Sequence, residues 1–354
     1  MAASHFRSAQ SLVVSSIGLG TYLGPCDDPT DSQYREAIVR AVELGANLVD
    51  TAINYRCQRS ERVIGQALRD LRKRGIDREE IVICSKAGFV PFDGKPVPDV
   101  AGHIQKDYID PGILSAEDVV DGHSLSAPFL RDQIERSRKN LGVDRIDVYY
   151  LHNPEVELGA LSRNDFNDRI DHAFEALEEA GAEGKIHYYG VATWDGFRRE
   201  PDSEDYLSIE ELVKRARAIG GDDHRFRFIQ LPYNIDAPDA VAQRNQDVGG
   251  RSDAPLRAAD ELGLTVVTSA SLAEGRLLGR LPRWLGGILS HASTDAQRAI
   301  QFLRSTPGVT TALVGMRHKE HVEENLALAR IEPLEDEAFR RLVPEDAAQT
   351  PWLY

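Results

Sequence analysis

Eight short, almost unbroken apolar runs recur along this chain, and each ends in a small or polar residue. They are Ile17-Gly18-Leu19-Gly20-Thr21, Asn47-Leu48-Val49-Asp50-Thr51, Ile81-Val82-Ile83-Cys84-Ser85-Lys86, Ile146-Asp147-Val148-Tyr149-Tyr150-Leu151-His152, His187-Tyr188-Tyr189-Gly190-Val191, Phe228-Ile229-Gln230-Leu231, Leu264-Thr265-Val266-Val267 and Thr311-Ala312-Leu313-Val314-Gly315. A strand with one wet face alternates apolar and polar side chains, so runs without alternation mark strands covered on both faces, as a parallel sheet requires. Between the runs lie segments of helical spacing, 34–44, 60–74, 127–141, 166–180, 208–219, 253–262, 294–305 and 319–329. In the first of these Tyr34, Ile38, Ala41 and Val42 fall three or four apart, and Gly45 follows as a C-cap. Strand and helix alternating eight times suit a closed α/β (β/α)8 TIM barrel, one domain over 1–354, better than an open doubly wound sheet. The lone Gly18-x-Gly20 also lacks the third glycine of a Rossmann turn.

The gap after the third run is the longest, and its stretch 90–126, rich in proline and aspartate, shows no helical period. A loop that follows a barrel strand emerges at the C-terminal rim, where barrel enzymes carry their sites, so this stretch is expected to be an inserted lid facing a substrate. The final Pro351-Trp352-Leu353-Tyr354 ends in two aromatics that either fold over that rim or dock on the surface.

A formal net charge of −15 repels nucleic acid and anionic membrane, so the expected partner is a small molecule and any phosphate must be held by local donors. No window reaches the ~20 apolar residues of a membrane span, and the N-terminal ten residues lack an apolar core, so a cytoplasmic protein is expected. Cys26, Cys57 and Cys84 are too few and too widely spaced for a disulfide framework or a zinc knuckle and are expected to be unpaired thiols.

The placement of ionisable groups in these apolar runs is informative. Asp50 ends the second run, Lys86 the third and His152 the fourth, with Tyr55 just beyond Asp50 on the same rim. Buried opposite charges at adjacent strand tips offset one another, and a salt bridge that merely closes a barrel would account for Asp50 and Lys86 alone. The four together form a chemical set. An ammonium beside a tyrosine lowers the phenol towards a usable acid, Asp50 would keep Lys86 charged and oriented, and His152 would donate to a carbonyl oxygen as charge develops there.

These residues carry a resemblance to the aldo-keto reductase superfamily across nearly the whole chain. Its signature pieces stand as Gly18-Leu19-Gly20-Thr21-Tyr22, Asp50-Thr51-Ala52-Ile53-Asn54-Tyr55, Ser60-Glu61-Arg62-Val63-Ile64-Gly65, Ser85-Lys86 and Asp147-Val148-Tyr149-Tyr150-Leu151-His152. The resemblance implies a nicotinamide cofactor that delivers hydride to a carbonyl carbon while Tyr55 protonates the oxygen. It further implies that Gly20, Thr21, Tyr22, Asp50 and Gln230 hold the nicotinamide half. Glu324 and Asn325 match the pair that contacts adenine, and Arg276 and Arg280 would clamp the pyrophosphate.

The chain departs from the family at three places. Gly190-Val191-Ala192-Thr193 replaces the usual Gly-Val-Ser-Asn, leaving Thr193 to supply part of the carboxamide contact. Ser269 stands where an aromatic usually stacks on the nicotinamide, so stacking falls to a residue such as Trp194. His321 stands where an arginine is usual, although Arg317 and Lys319 lie close by. NADP(H) is preferred over NAD(H) on this reading. Two other classes stay open: a cofactor-sensing or regulatory subunit on the same barrel, and a metal-dependent barrel hydrolase. The latter needs clustered His and Asp ligands, and His5, His103, His123, His172, His224 and His291 show no ligand spacing and are expected to be solvated or structural.

Overall fold

The computed structural model describes residues 1–282, 284–340 and Leu342; the C-terminal aromatics lie outside the described residues. Eight parallel strands close into a barrel: β1 (Ile17–Gly20), β2 (Leu48–Asp50), β3 (Val82–Ala87), β4 (Ile146–His152), β5 (Ile186–Ala192), β6 (Phe226–Pro232), β7 (Thr265–Ser269) and β8 (Val309–Gly315), the last pairing back onto the first. Both faces of each strand are covered, which is why the sequence shows no alternation. Inward side chains of Leu48, Val82, Cys84, Val148, Tyr150, Phe228, Val267 and Leu313 pack as one cluster in the lumen. Outward ones such as Leu19, Val49, Ile83, Leu151, Ile229 and Val314 join the larger core beneath the helices.

All eight expected helices form, as α1 (Asp28–Glu43), α2 (Arg59–Lys73), α3 (Ala127–Leu141), α4 (Arg163–Ala182), α5 (Ile209–Gly220), α6 (Pro255–Glu261), α7 (Asp295–Ser305) and α8 (Lys319–Leu326). Helix α1 starts six residues before the apolar spacing does. The Asp27 carboxylate accepts from the Thr30 amide at 2.9 Å and a proline stands in the first turn, so the start is fixed by capping rather than by burial. Strand register brings the functional tips to one rim, pairing Gly20 with Asp50, Ala87 with Leu151, and Ala192 with both His152 and Gln230.

Residues 90–126 are folded. A short helix, Val100–Ile104, runs into a wider turn at Gln105–Ile109, and Val90, Ile104, Tyr108 and Leu114 pack against Phe129 of α3 as a separate small core. A helix of one turn is too short to leave a period in the sequence.

The opposite end of the barrel is closed by an N-terminal hairpin, Phe6–Ala9 with Leu12–Ser15, whose Ala9 and Val14 join the lumen cluster. Two arginines fasten it. Arg7 Nη1 donates to the Val309 carbonyl at 2.6 Å, and the buried Arg304 donates to Ser16 Oγ at 3.1 Å and to the Leu328 and Ile331 carbonyls. Burial, reinforced by Arg7, pulls the Arg304 guanidinium down to about 10. Strands of only four residues are too short to show a clear pattern, so the sequence does not mark this plug. Among the described residues no helix is long and apolar enough to cross a membrane.

Among the glycines of the barrel strands the most confined is Gly190 of β5, where an added Cβ would stand 2.1 Å from the Phe228 carbonyl oxygen of β6 and 2.9 Å from the Tyr150 ring. The obstacle is mostly backbone, so Gly190→Ala is expected to destabilise the protein by about 3 kcal/mol, the upper end for overpacking. Urea unfolding checks this, and an unchanged midpoint would show that the β5–β6 pairing yields.

Candidate active site

Asp50 is the last residue of β2 and Lys86 the fifth of β3, and both side chains are buried at the bottom of the rim. Lys86 Nζ lies 2.5 Å from Asp50 Oδ1 and donates to the Thr51 carbonyl at 2.8 Å, while Gln230 Nε2 of β6 donates to Asp50 Oδ2 at 2.8 Å. Burial opposes the Lys86 charge, but Asp50 and Tyr55 outweigh it and hold the ammonium above its ordinary value.

Tyr55 sits on the turn between β2 and α2, its ring centroid 5.0 Å from Lys86 Nζ. The three residues after it, Arg56, Cys57 and Gln58, are all left-handed, with φ of 48°, 55° and 68°. Such residues cost about 1–3 kcal/mol each and persist where surroundings over-determine them. Here the determinants are Arg56, donating to the Pro25 carbonyl at 3.0 Å and paired with Asp31, and the Gly94 amide of the insertion, donating to the Cys57 carbonyl at 2.9 Å. The sequence argument gives Lys86 the task of lowering the Tyr55 phenol. In the structure burial is the larger effect and carries the phenol above its ordinary value, with the Lys86 charge working against that rise.

His152 ends β4 with its ring 5.6 Å from that of Tyr55 and 5.3 Å from Phe89. Burial first, then Lys86 and His123, hold its imidazole well below the ordinary value, so it is neutral near pH 7. Its backbone carbonyl accepts from His123 Nε2 at 2.8 Å; His123 Nδ1 meets Glu157 Oε1 at 2.9 Å, and Arg169 donates to Glu157 Oε2 at 3.0 Å. His123 belongs to the insertion, and both it and Glu157 are fully buried. Phe89, His123, Glu157 and Arg169 were not singled out for the site in the sequence, because nothing in their spacing shows that they converge on His152.

A cavity of about 340 Å³ opens over this cluster, walled by Gly20, Thr21, Tyr22, Asp50, Tyr55, His152, Thr193, Trp194, Gln230, Ser269 and His321 among others. A second pocket of about 290 Å³ shares Leu272, Leu278, Gly315 and His321 with it and ends at Glu324 and Asn325. One trough therefore joins the expected site residues except Lys86, which lies under the floor, and the cations Arg276, Arg280, Arg317 and Lys319, which line neither pocket. Arg276 donates to the Ala273 carbonyl at 3.0 Å on the outer surface, and Arg317 leans towards Gly24 and His318. Residues 90–126 contribute nothing to the wall of either pocket.

Two further expectations change in detail. The Thr193 hydroxyl is occupied, donating to Glu155 Oε1 at 2.5 Å and accepting from the Gly196 amide at 2.7 Å, because it caps the turn after β5. Gln230 has committed its amide nitrogen to Asp50, which leaves its carbonyl oxygen for a ligand. Trp194, half exposed, lines the same cavity as Ser269, together with Tyr22 and Tyr55. In the second pocket Glu324 accepts from Thr294 Oγ1 at 2.5 Å, whereas the buried Asn325 Oδ1 has no partner. Among the described residues no three His, Cys, Asp or Glu side chains are gathered as a metal ion would need.

The model of the Aldo/keto reductase family matches residues 16–199, slightly more than half the chain and all of β1 to β5. The uncharacterized oxidoreductase YqkF of Bacillus subtilis is 26% identical over 334 residues, 94% of this chain and 92% of that protein. A putative voltage-gated potassium channel subunit beta of Schizosaccharomyces pombe is 24% identical over 350 residues, 95% and 91% of the two chains. An aldo/keto reductase from Klebsiella pneumoniae, solved in complex with NADP and acetate, shares the fold with a TM-score of 0.64 at 23% identity, over 96% of this chain and 95% of that one. Barrel, rim cluster and family match agree, and the chain belongs to the Aldo/keto reductase family of oxidoreductases.

Proposed function

We propose that this chain reduces an aldehyde or ketone to the alcohol with a nicotinamide dinucleotide, NADP(H) in preference to NAD(H), and that Tyr55 supplies the proton. The observation that carries this reading is the convergence of Tyr55, Lys86, Asp50 and His152 on the floor of a trough that continues to Asn325. The trough suits an extended dinucleotide: the free carbonyl oxygen of Gln230 matches a carboxamide at one end, and the orphaned Asn325 Oδ1 matches an adenine amino group at the other. Helix α8 begins at Lys319, two residues after Arg317, so two cationic side chains stand near its N-terminus in a chain of net charge −15, where a 2′-phosphate is favoured. The Klebsiella relative of the same fold binds NADP, which supports the same preference.

When bound, the dinucleotide supplies the hydride; the remaining tasks fall to side chains. Tyr55 stays protonated far above neutral pH because burial holds its phenol up, and its hydroxyl proton passes to the substrate oxygen as negative charge gathers there. Lys86 then faces a phenolate, and its charge is kept in place by Asp50, itself fixed by Gln230. Neutral His152 has one N–H to offer the same oxygen, a donor of the kind worth about 10²–10³ in turnover. A second reading, a dinucleotide-sensing subunit with little turnover, is favoured by Ser269 standing where a stacking ring is expected.

Purified protein titrated with NADPH and NADH by fluorescence should bind NADPH more tightly, and equal affinities would remove the preference. Cofactor oxidation against a panel of aldehydes and ketones then separates the two readings, since tight binding with no turnover on any of them favours the sensor. Tyr55→Phe should lower kcat by about 10²–10⁴-fold with the NADPH Kd nearly unchanged; full activity in this variant would strip Tyr55 of its role. The pH profile of kcat/KM should show no limb near 6.5, because the folded His152 takes up its proton only well below that value. An activity loss with a midpoint near 6.5 that disappears in His152→Asn would show the imidazole titrating normally.

A further inference from the structure

Two cysteines separated by 31 positions in the chain meet beside Tyr55. Cys26 Sγ lies 3.3 Å from Cys57 Sγ, and both are free thiols. Cys26, on the loop from β1 to α1, is partly exposed, while Cys57 is almost buried in the left-handed turn that begins one residue after Tyr55. The loop of Cys26 also carries Tyr22, whose ring meets that of Tyr55 at 5.0 Å. The geometry points to a peroxide-sensitive dithiol: a hydroperoxide converts the Cys26–Cys57 pair into a disulfide, and closing that bond displaces Tyr55 and lowers turnover.

The steps balance. The Cys26 sulfur attacks the terminal peroxide oxygen, the O–O bond breaks, and the alkoxide leaves with the thiol proton as an alcohol, giving the Cys26 sulfenic acid. The Cys57 sulfur then attacks that sulfur, the S–O bond breaks, and hydroxide leaves with the Cys57 proton as water. Two thiols have lost two electrons and two protons, and the peroxide has been reduced to one alcohol and one water. The order of attack follows from access. Burial and the neighbouring Cys26 push the Cys57 thiol up to about 12 against the opposing charges of Arg56 and Arg59, leaving the more exposed Cys26 to react first. In a reducing compartment the pair rests as thiols.

Closing the sulfurs from 3.3 Å to the about 2.05 Å of a disulfide needs more than an ångström of approach. The turn has little slack, since Tyr55 N donates to the Ala52 carbonyl at 3.0 Å and the Cys57 carbonyl accepts from Gly94 N at 2.9 Å. Misplacing a reacting group by ~1 Å can cost about 100-fold in rate. Cys84, fully buried in the lumen, serves as an internal control.

The test treats reduced full-length protein with hydrogen peroxide or cumene hydroperoxide, followed by non-reducing peptide mapping and a carbonyl-reduction assay. A cross-linked peptide joining residues 26 and 57, lighter by two hydrogens, is expected with kcat at least tenfold lower, both restored by dithiothreitol, while Cys26→Ser keeps its activity through the same treatment. Cys26 found only as sulfinic or sulfonic acid beside a freely alkylated Cys57 would overturn the proposal, as would a cross-link that leaves kcat unchanged. The kinetic arm rests on the reductase reading, whereas the mass arm does not, so a protein that reduces no carbonyl would still report by its cross-link.

Discussion

A lysine ammonium with only one part in a hundred of its surface exposed survives only beside a carboxylate, and a carboxylate at that depth survives only if its other oxygen is also satisfied. The Asp50–Lys86 contact meets both conditions, because Gln230 crosses the barrel from β6 to hold the second Asp50 oxygen. Three strands are thereby fastened at their tips by one charge pair, and the rest of the rim is arranged around it. Tyr55 is oriented over the ammonium, His152 loses its proton partly because the ammonium is near, and the cavity floor takes its shape from all three. The same pair fastens neighbouring strands and underlies the proposed proton donor, so a structural and a catalytic explanation of Asp50 and Lys86 are not rivals.

The parts of the molecule legible in the sequence are those whose physics is local. Strands buried on both faces must read as unbroken apolar runs, and ionisable groups that interrupt such runs at their ends stand out, which is how Asp50, Lys86 and His152 become visible. What stayed hidden is either too short to leave an apolar pattern or set by how deeply a group is buried. The start of α1 is set by a cap at Asp27, the strands of the hairpin that plugs the barrel are only four residues long, and the helix inside the insertion spans a single turn. The direction of the Tyr55 shift was likewise out of reach, since a sequence reveals that Lys86 is near but not how deeply the phenol is buried.

Beneath the residues that face the cavity lies a second layer that no motif announces. Glu155 gathers the Thr193 hydroxyl and the amides of Trp194 and Asp195, fixing the turn on which Trp194 stands. The insertion works in the same way: through Gly94 it holds the turn after Tyr55, and through His123, backed by Glu157 and Arg169, it holds the end of β4. Its observed contacts therefore support the two catalytic candidates from behind.

The hairpin at the closed end also bears on how the barrel comes together. Its fastenings reach units far apart in the chain: Asn47 accepts from the Ser15 amide and donates to the Val13 carbonyl, Tyr188 donates to Ser11, Gln10 donates to the Gly263 carbonyl and Arg7 to Val309. One small plug thus ties the second, fifth, seventh and eighth strand units together. Contacts of such long sequence separation form only after the loops between them have closed, so the plug locks the barrel late in folding and cannot be its nucleus.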